Sequence, residues 1–218
     1  MIILFKLILH MKNVLISFVL FILFFSLNAQ DIKLPQPITT GGLPLMETLS
    51  KRETNRNFSQ EEISNQKLSN LLWAAFGINR ENGRRTAPSA RNAQETDIYV
   101  FTKERVYLYI PDQNLLKEVH HQDSRSKLVK QEGFVDCPLL LLLVANYDKM
   151  DRFKEEDRTF YGAIDAGYIS QNIYLFCTSE NLTTCAIGMI YRDEVKKWIG
   201  FNGKAIIAHT IGVKEIEN

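Results

Sequence analysis

Three side chains that could bind an anion alternate along residues 52–56. Arg52, Thr54 and Arg56 are each separated by one residue, so in an extended segment all three point to the same side. A guanidinium group can pair two of its N–H groups with two phosphate oxygens. The pattern therefore indicates a phosphate site, although spacing alone leaves a solvated charged strand as the alternative.

A second candidate lies in the loop before a predicted strand, within the stretch GRRTAPSARNAQETDIYVF (Gly83–Phe101). A connecting loop needs only one or two turn residues. This loop instead combines a proline, small residues and two amides, namely Pro88, Ser89, Ala90, Asn92 and Gln94. The composition predicts contact with something flat, polar and negatively charged.

The other reactive side chains form no recognisable metal or nucleophile motif. The three cysteines, Cys137, Cys177 and Cys185, show neither CxxC nor Cys/His zinc spacing. A pair of them could oxidise in an exported protein, but their apolar surroundings favour small core residues. The histidines form no metal constellation, and we expect His120 and His121 to be solvated on a charged helix.

The charge distribution argues against nucleic acid as a partner. The formal net charge of the 218-residue chain is +1. Basic residues occur only in short, scattered clusters such as Arg84-Arg85 and Lys196-Lys197. A groove that follows a phosphate backbone needs a longer basic stripe.

The N-terminal residues have the layout of a secretory signal. Lys12 and Asn13 precede the apolar run Val14–Leu27, and small or polar residues follow it. An uncleaved membrane anchor is the alternative, but the run has only 14 residues, against roughly 20 for a helix that spans a membrane, which favours cleavage. We expect residues 1–30 to be removed, with Met11 as an alternative start. The mature protein would be periplasmic or secreted, and only this segment would meet the membrane, before cleavage.

Behind the signal, the patterning predicts an extended arm over residues 31–50 and one α+β domain over residues 51–218. Ser64 and Gly77 delimit an amphipathic helix. The other expected elements are a hairpin (96–111), an amphipathic helix (114–133), a buried strand (137–147) and a long apolar helix (160–181). A strand (185–192), a short helix (193–200) and a last strand (204–213) follow them.

The long helix has little polar surface. Its apolar or small residues include Phe160, Ala163, Ile164, Gly167, Tyr168, Ile173, Leu175 and Phe176. A helix that is apolar all round is buried. A second subunit could cover it, and a central helix wrapped by its own sheet is the alternative.

Four stretches together resemble the nitroreductase family of flavoproteins, and most closely the branch that includes the dehydrogenases of thiazole/oxazole peptide synthesis. They are LSKRETNRNFS, LSNLLWAAFGINR, RRTAPSARNAQETDIYVF and DAGYISQNIYLFCTSENLTTCAIG, and the likeness extends from about Leu49 to Val213. The resemblance implies an α+β fold with a central, mostly antiparallel sheet flanked by helices. It also implies an intertwined homodimer that binds FMN at two sites on the subunit boundary.

The resemblance also implies roles for individual residues. Arg52, Thr54 and Arg56 match the family's Arg-x-Ser-x-Arg phosphate motif, with Thr54 retaining the hydroxyl. Residues 88–92, with Gln94 after them, match a loop that reaches the flavin of the neighbouring subunit, where small residues allow close approach to the ring.

Two regions depart from the family pattern. Asn181-Leu182-Thr183 stands where Gly-Leu-Gly is usual. Residues 183–186, including Thr183, Thr184 and Cys185, are still expected to line the ring, but threonine tolerates a positive φ poorly. Lys214, near the C-terminus, is a candidate phosphate contact. Arg125, in the middle of the chain, is another candidate.

The implied activity is electron transfer from a reduced nicotinamide-type donor to a quinone, nitroaromatic or similar small-molecule acceptor, in a ping-pong cycle. The flavin performs the chemistry, so no catalytic side chain is predicted. The alternative is an exported flavin-binding dimer without significant turnover.

Overall fold

The computed structural model describes residues 30–131 and 133–215, and the described residues from Asp31 onward belong to one unit. The apolar run Val14–Leu27 lies outside the described residues. Within the described ranges, no helix has the length and apolarity needed to cross a membrane.

Seven antiparallel strands form the described sheet, in the order β1-β4-β3-β2-β5-β7-β6. The strands are β1 (Ile32–Lys33), β2 (Thr96–Phe101), β3 (Val106–Ile110), β4 (Leu115–His120), β5 (Leu139–Asn146), β6 (Leu182–Ile187) and β7 (Gly203–Val213). The helices are α1 (Leu45–Lys51), α2 (Asn65–Phe76), α3 (Glu155–Ser179) and α4 (Arg192–Ile199). The predicted class, a mostly antiparallel sheet flanked by helices, is confirmed.

The apolar run at β5 is explained by its central place in the sheet. It pairs with β2 on one side and β7 on the other, and residues 139–145 are all buried. Because side chains alternate along a strand, Leu141 and Leu143 pack in the cluster that includes α2 and α3, while Leu140 and Leu142 pack in the cluster that includes α4. The core therefore has two halves, one on each face of the sheet.

The signals that end α2 act as predicted. The Ser64 hydroxyl accepts a hydrogen bond from the Lys67 N–H at 3.2 Å, which caps the N-terminus of the helix. The Gly77 N–H donates to the Trp73 carbonyl at 2.7 Å where the helix ends. Between them, Leu71 and Leu72 are completely buried.

The long helix α3 has two different faces. A Cβ on Gly162 would lie 2.5 Å from the Cβ of Ala145 in β5, so glycine is what lets the helix approach the sheet this closely. Ile169 and Ile173 are buried on the same inner face. On the outer face, Phe160, Ile164 and Tyr168 are exposed. The chain's own sheet thus covers one half of the helix and leaves the other half open.

The amphipathic helix predicted over residues 114–133 is wrong. Leu115–His120 form β4, which pairs with β3 and places Leu116 in the core. Pairing with a neighbouring strand overrides local helix propensity here. The expected solvation of His120 is also wrong, because its ring packs edge-on against Trp198 with centroids 4.2 Å apart. His121 is exposed.

The N-terminal arm is extended only in part. Residues 45–51 form α1, and β1 pairs with β4 at the edge of the sheet, so the expectation of an extended arm through residue 50 is corrected. All three cysteines are free and buried, which agrees with their interpretation as small core residues.

Candidate functional site

The segment that carries the two arginines lies along the outer edge of β6. The Asn55 N–H donates to the Thr184 carbonyl at 3.1 Å, and the Thr183 hydroxyl donates to the Asn55 carbonyl at 3.1 Å. The backbone leaves α1 in an extended conformation at Arg52 (φ −60°, ψ 120°). The segment therefore extends the edge of the sheet, and alternate side chains point to opposite sides.

Tyr174 of α3 holds one side of this segment. Its hydroxyl accepts from the Ala186 N–H at 2.9 Å and lies 3.0 Å from the Thr54 hydroxyl. The Arg52 guanidinium lies over the Tyr174 ring, 5.3 Å from its centroid. Because the Tyr174 proton can be donated to Thr54, the Thr54 proton is left available for a ligand.

Arg52 and Arg56 have no carboxylate partner among the described residues. Arg56 is exposed and interacts with the Cys185 thiol, while burial, the larger effect, raises the pKa of that thiol. Two guanidinium groups and one hydroxyl donor thus stand beside β6, and in the described part of the chain neither guanidinium forms an ion pair with a carboxylate. That arrangement suits a phosphate group.

Lys214 lies on the other side of the same segment. Its Nζ pairs with Glu53 Oε1 at 3.2 Å, and this hydrogen bond is the main cause that lowers the pKa of the Glu53 carboxyl. Lys214 lines a cavity of about 380 Å³ together with Asn55, Asn181 and residues 182–184. The structure does not bring it into contact with Arg52 or Thr54, so its predicted phosphate contact gains no support from the geometry.

Arg125, the other candidate cation, is already engaged. Its side chain forms two hydrogen bonds to the Asp123 carboxylate, at 3.0 and 2.6 Å, and another to the Cys137 carbonyl. Arg125 is buried. The guanidinium therefore ties together the chain before β5 and is not available to a ligand.

Residues 183–185 form a regular strand rather than a turn. The left-handed conformation falls at Asn181 (φ 55°), a residue type that tolerates it. Thr183 is in β6 without a positive φ, so the expected strain at Thr183 is absent and the expectation is corrected. The side chains of Thr183, Thr184 and Cys185 are buried.

The sequence interpretation missed His209, which is completely buried in β7. Its Nε2 lies 2.8 Å from the Ser170 hydroxyl and its Nδ1 lies 3.1 Å from the Thr184 hydroxyl. Its ring also packs edge-on against Tyr174. Burial lowers the pKa of His209 to about 3, so the ring is neutral. A single histidine in a predicted strand gave no signal of this role, which depends on contacts with α3 and β6.

The loop of residues 88–94 is held in a specific conformation by its own polar groups. The Gln94 N–H donates to the Ser89 hydroxyl at 2.9 Å, and the Ala90 N–H donates to Asp165 Oδ2 of α3 at 2.7 Å. Gln94 also bonds to Arg85 and to the Gly83 carbonyl through its side chain.

Three residues in or beside the turn of this loop adopt left-handed φ values, Arg91 at 54°, Asn92 at 53° and Gln94 at 50°. Such φ values cost free energy in residues other than glycine and persist where surrounding contacts enforce them. No hydrogen bond or ion pair between described residues joins this loop to residues 52–56. Within one chain, the two candidate regions are therefore separate.

Residues 49–213 match the Nitroreductase family, which is more than half of the chain. The chain belongs to this family of flavin-dependent oxidoreductases, whose members act on small molecules. A curated protein of Methanocaldococcus jannaschii, named as a candidate nitroreductase, is 29% identical over 198 residues, 86% of this chain and 98% of that protein. The crystal structure of a candidate nitroreductase from Ralstonia eutropha is 35% identical with a TM-score of 0.80, and the match covers 86% of this chain and 90% of that one.

Two more distant solved structures share the fold. The microcin synthetase McbBCD complex of E. coli, with truncated pro-MccB17 bound, is 16% identical with a TM-score of 0.64 over 90% of this chain and 81% of that one. A candidate NAD(P)H:FMN oxidoreductase of Staphylococcus epidermidis is 14% identical with a TM-score of 0.57, over 83% of this chain and 92% of that one. The predicted membership of the nitroreductase family is confirmed, and the microcin synthetase complex shares the fold.

Burial of neutral His209 makes the fold sensitive to acid. Because its pKa falls from 6.5 to about 3 on folding, the unfolded chain gains a proton first as pH drops. The stabilisation is complete above pH 6.5 and is lost at about 1.4 kcal/mol for each pH unit below about 6. We expect His209→Gln to unfold in urea with a shallower loss of stability between neutral pH and about pH 4.5. The exposed His121→Gln variant should retain the wild-type slope, and identical slopes in all three proteins would contradict the assignment.

Proposed function

We propose that the protein is an FMN-dependent oxidoreductase that takes electrons from a reduced nicotinamide-type donor and passes them to a quinone, nitroaromatic or similar acceptor. The observation that carries the proposal is the row of Arg52, Thr54 and Arg56 beside β6, with both guanidinium groups free of carboxylates among the described residues. The structurally similar protein of Staphylococcus epidermidis, named as a candidate NAD(P)H:FMN oxidoreductase, supports FMN over other flavins.

In this proposal the phosphate of FMN binds between Arg52 and Arg56 and accepts a hydrogen bond from Thr54. Tyr174 keeps Thr54 in place through the contact of 3.0 Å between their hydroxyl oxygens. The backbone of residues 183–185 borders the ring system. Lys214 remains a predicted contact, and its use would require that it leave Glu53.

The rest of the site would come from a second subunit. The loop of residues 88–92 is preorganised, but among the described residues it forms no hydrogen bond or ion pair with the Arg52–Arg56 segment of its own chain. We therefore propose that it completes the site of a partner subunit. The exposed stripe of Phe160, Ile164 and Tyr168 on α3 supplies an apolar surface for such a homodimer. Gly167 lies on the same side with open space around it, which would allow close approach of another helix.

When bound, FMN supplies the hydride-accepting and hydride-donating chemistry. The chain's own residues bind and orient it, and no acid or base is assigned among them. One exposed face would serve donor and acceptor in turn, which is a ping-pong cycle. A flavin-binding dimer without turnover is the alternative, and Asn181 weakens it by taking the left-handed conformation that a glycine-rich turn would provide.

We also propose that the protein is exported, since the apolar run Val14–Leu27 has the length and flanks of a signal. The mature protein would begin near Gln30 or Asp31, in the periplasm or outside the cell. N-terminal sequencing of the cellular protein that returned Met1 or Met11 would contradict cleavage.

The phosphate assignment predicts a loss of cofactor affinity in Arg52→Ala and in Arg56→Ala. A charge-assisted contact contributes roughly 1.5–3 kcal/mol, so each change should weaken FMN binding about tenfold or more. Fluorescence titration of the apoprotein measures this affinity. Lys51→Ala is the matched control, because Lys51 is a neighbouring cation that pairs with Glu47 at 2.7 Å. Unchanged affinity in both arginine variants, or an equal loss in the control, would contradict the assignment.

The dimer proposal predicts that Ile164→Glu yields monomers that do not retain FMN. A buried, unpaired carboxylate at a subunit boundary is strongly unfavourable. Light scattering should give about twice the monomer mass for the wild type and the monomer mass for the variant. Val119→Glu is the control, since Val119 and Ile164 are both 39% exposed but Val119 is on β4. A flavin-loaded monomer would contradict the proposal.

The activity is tested by steady-state kinetics of the FMN-loaded protein, with NADPH and a benzoquinone both varied. Parallel double-reciprocal lines are expected because donor and acceptor share one face. Intersecting lines would require a ternary complex and would contradict the ping-pong cycle. If the dithionite-reduced protein fails to reduce the quinone, the non-catalytic flavin binder replaces the enzyme as the conclusion.

A further inference from the structure

A pair of buried carboxyl groups lies beneath the loop of residues 88–94. Glu95 follows the loop and is 0% exposed, while Asp165 of α3 is 2% exposed. Each carboxyl group contributes to the pKa shift of the other. Among the described residues, no N–H or O–H donor meets either oxygen of Glu95 with ordinary hydrogen-bond geometry.

Two ionised carboxylates could not remain together in this site. Like charges repel strongly where water is excluded, and one proton shared between the groups removes the repulsion. Asp165 Oδ2 already accepts the Ala90 N–H at 2.7 Å, a contact that favours its ionised form. The proton therefore belongs on Glu95, which donates it to Asp165.

Other charged groups near Glu95 are committed elsewhere. Lys149, in the turn after β5, favours the ionised form of Glu95, but its Nζ pairs with Asp97 Oδ1 at 2.6 Å. Arg91 of the loop bonds the Arg152 carbonyl and lies over the Phe153 ring. From β5, Asn146 contributes only a backbone N–H, which donates to the Glu95 carbonyl at 3.0 Å.

We propose that Glu95 and Asp165 are a positioning pair that shares one proton and thereby holds the loop of residues 88–94 in the conformation that contacts the flavin. Asp165 reaches the loop through the Ala90 N–H, next to the left-handed turn at Arg91 and Asn92. Loss of the shared proton would place two negative charges beneath this strained turn, and the loop would leave α3. The role in flavin binding rests on the proposed function, whereas the shared proton does not.

The proposal has a defined pH window. Burial, as the main cause, raises the pKa of Glu95 from 4.5 to about 7, its own backbone N–H opposes the rise, and Asp165 adds to it. The folded chain therefore retains a proton that the unfolded chain releases. The stabilisation is complete below pH 4.5, decreases as pH rises, and is lost above about pH 7.

Glu95→Gln separates the shared proton from other effects of pH. Glutamine has the shape of a protonated glutamate and donates an N–H to Asp165, but it does not titrate. If only the protonated loop binds FMN, wild-type affinity should fall about tenfold from about pH 6 to about pH 8 relative to the variant. The phosphate of FMN titrates identically with both proteins, so its effect cancels in the ratio. The exposed Glu104→Gln variant should follow the wild type, and a wild-type to Glu95→Gln ratio that is equal at both pH values would overturn the proposal.

A second measurement does not depend on flavin. The unfolding midpoint of the apoprotein, compared with that of Glu95→Gln, should fall as pH rises from about 5 to about 8. If Glu95→Gln does not fold, infrared titration of the wild-type protein should show a protonated carboxyl group that is lost near pH 7. Absence of such a titration would overturn the proposal. If the protein binds no FMN but its unfolding midpoint and its infrared titration change with pH as expected, the proposed function is wrong and the shared proton of the carboxyl pair still stands.

Discussion

The close packing of α3 on the central strand β5 is the constraint on which the other features depend. Gly162 permits it, because any side chain there would meet Ala145 of β5. The approach fixes the rotation of the helix, and the rotation decides which side chains point inward. Asp165 then meets the loop of residues 88–94, Ser170 meets His209, and Tyr174 meets Thr54. One helix thus positions both candidate regions, although they do not contact each other.

Polar groups that pack against the inner face of α3 remain uncharged or share charge. His209 is neutral between two hydroxyl groups, and Glu95 is protonated against Asp165. In both cases burial favours the neutral form, as expected when water is excluded from a titratable group. These groups replace water as hydrogen-bond partners and so fix the distance between α3 and the strands. An apolar core of equal volume would pack the helix, but it would offer no hydrogen-bond acceptor to the backbone N–H groups of Ala90 and Ala186.

Local features of the fold were predictable because they depend on neighbours in sequence. Ser64 and Gly77 delimit α2 through contacts within one turn, and the apolar run of β5 reports burial on both faces. Residues 114–133 were not predictable in this way, because an alternating strand next to charged residues also satisfies a helical pattern. Only pairing with β3 distinguishes the two, and that pairing is a tertiary contact.

The candidate site divides in the same manner. The spacing of Arg52, Thr54 and Arg56 predicts a shared side, since alternation follows from the backbone alone, and both Arg52 and Thr54 contact Tyr174. His209 and Glu95 gave no sequence signal, because their roles arise from burial against residues far away in the chain. The position of Lys214 also depends on a contact between distant parts of the chain. Lys214 pairs with Phe58 after the arginine segment, and its side chain lies on the side of that segment where Glu53 is. Proximity in the fold does not place a cation in a site when its side chain pairs with a carboxylate, as Lys214 does with Glu53.

The two faces of α3 also connect assembly with binding. The inner face holds the loop of residues 88–94 and the arginine segment at separate places, and the proposed dimer would bring these two regions together, as half-sites, from different chains. On the outer face Phe160, Ile164 and Tyr168 are exposed, and in the proposed dimer they would contact the second subunit. Since both faces belong to one rigid helix, a partner that packs on the outer face would meet half-sites whose geometry is already fixed from within. Little rearrangement would then accompany association, which reduces the entropic cost of forming a site from two chains.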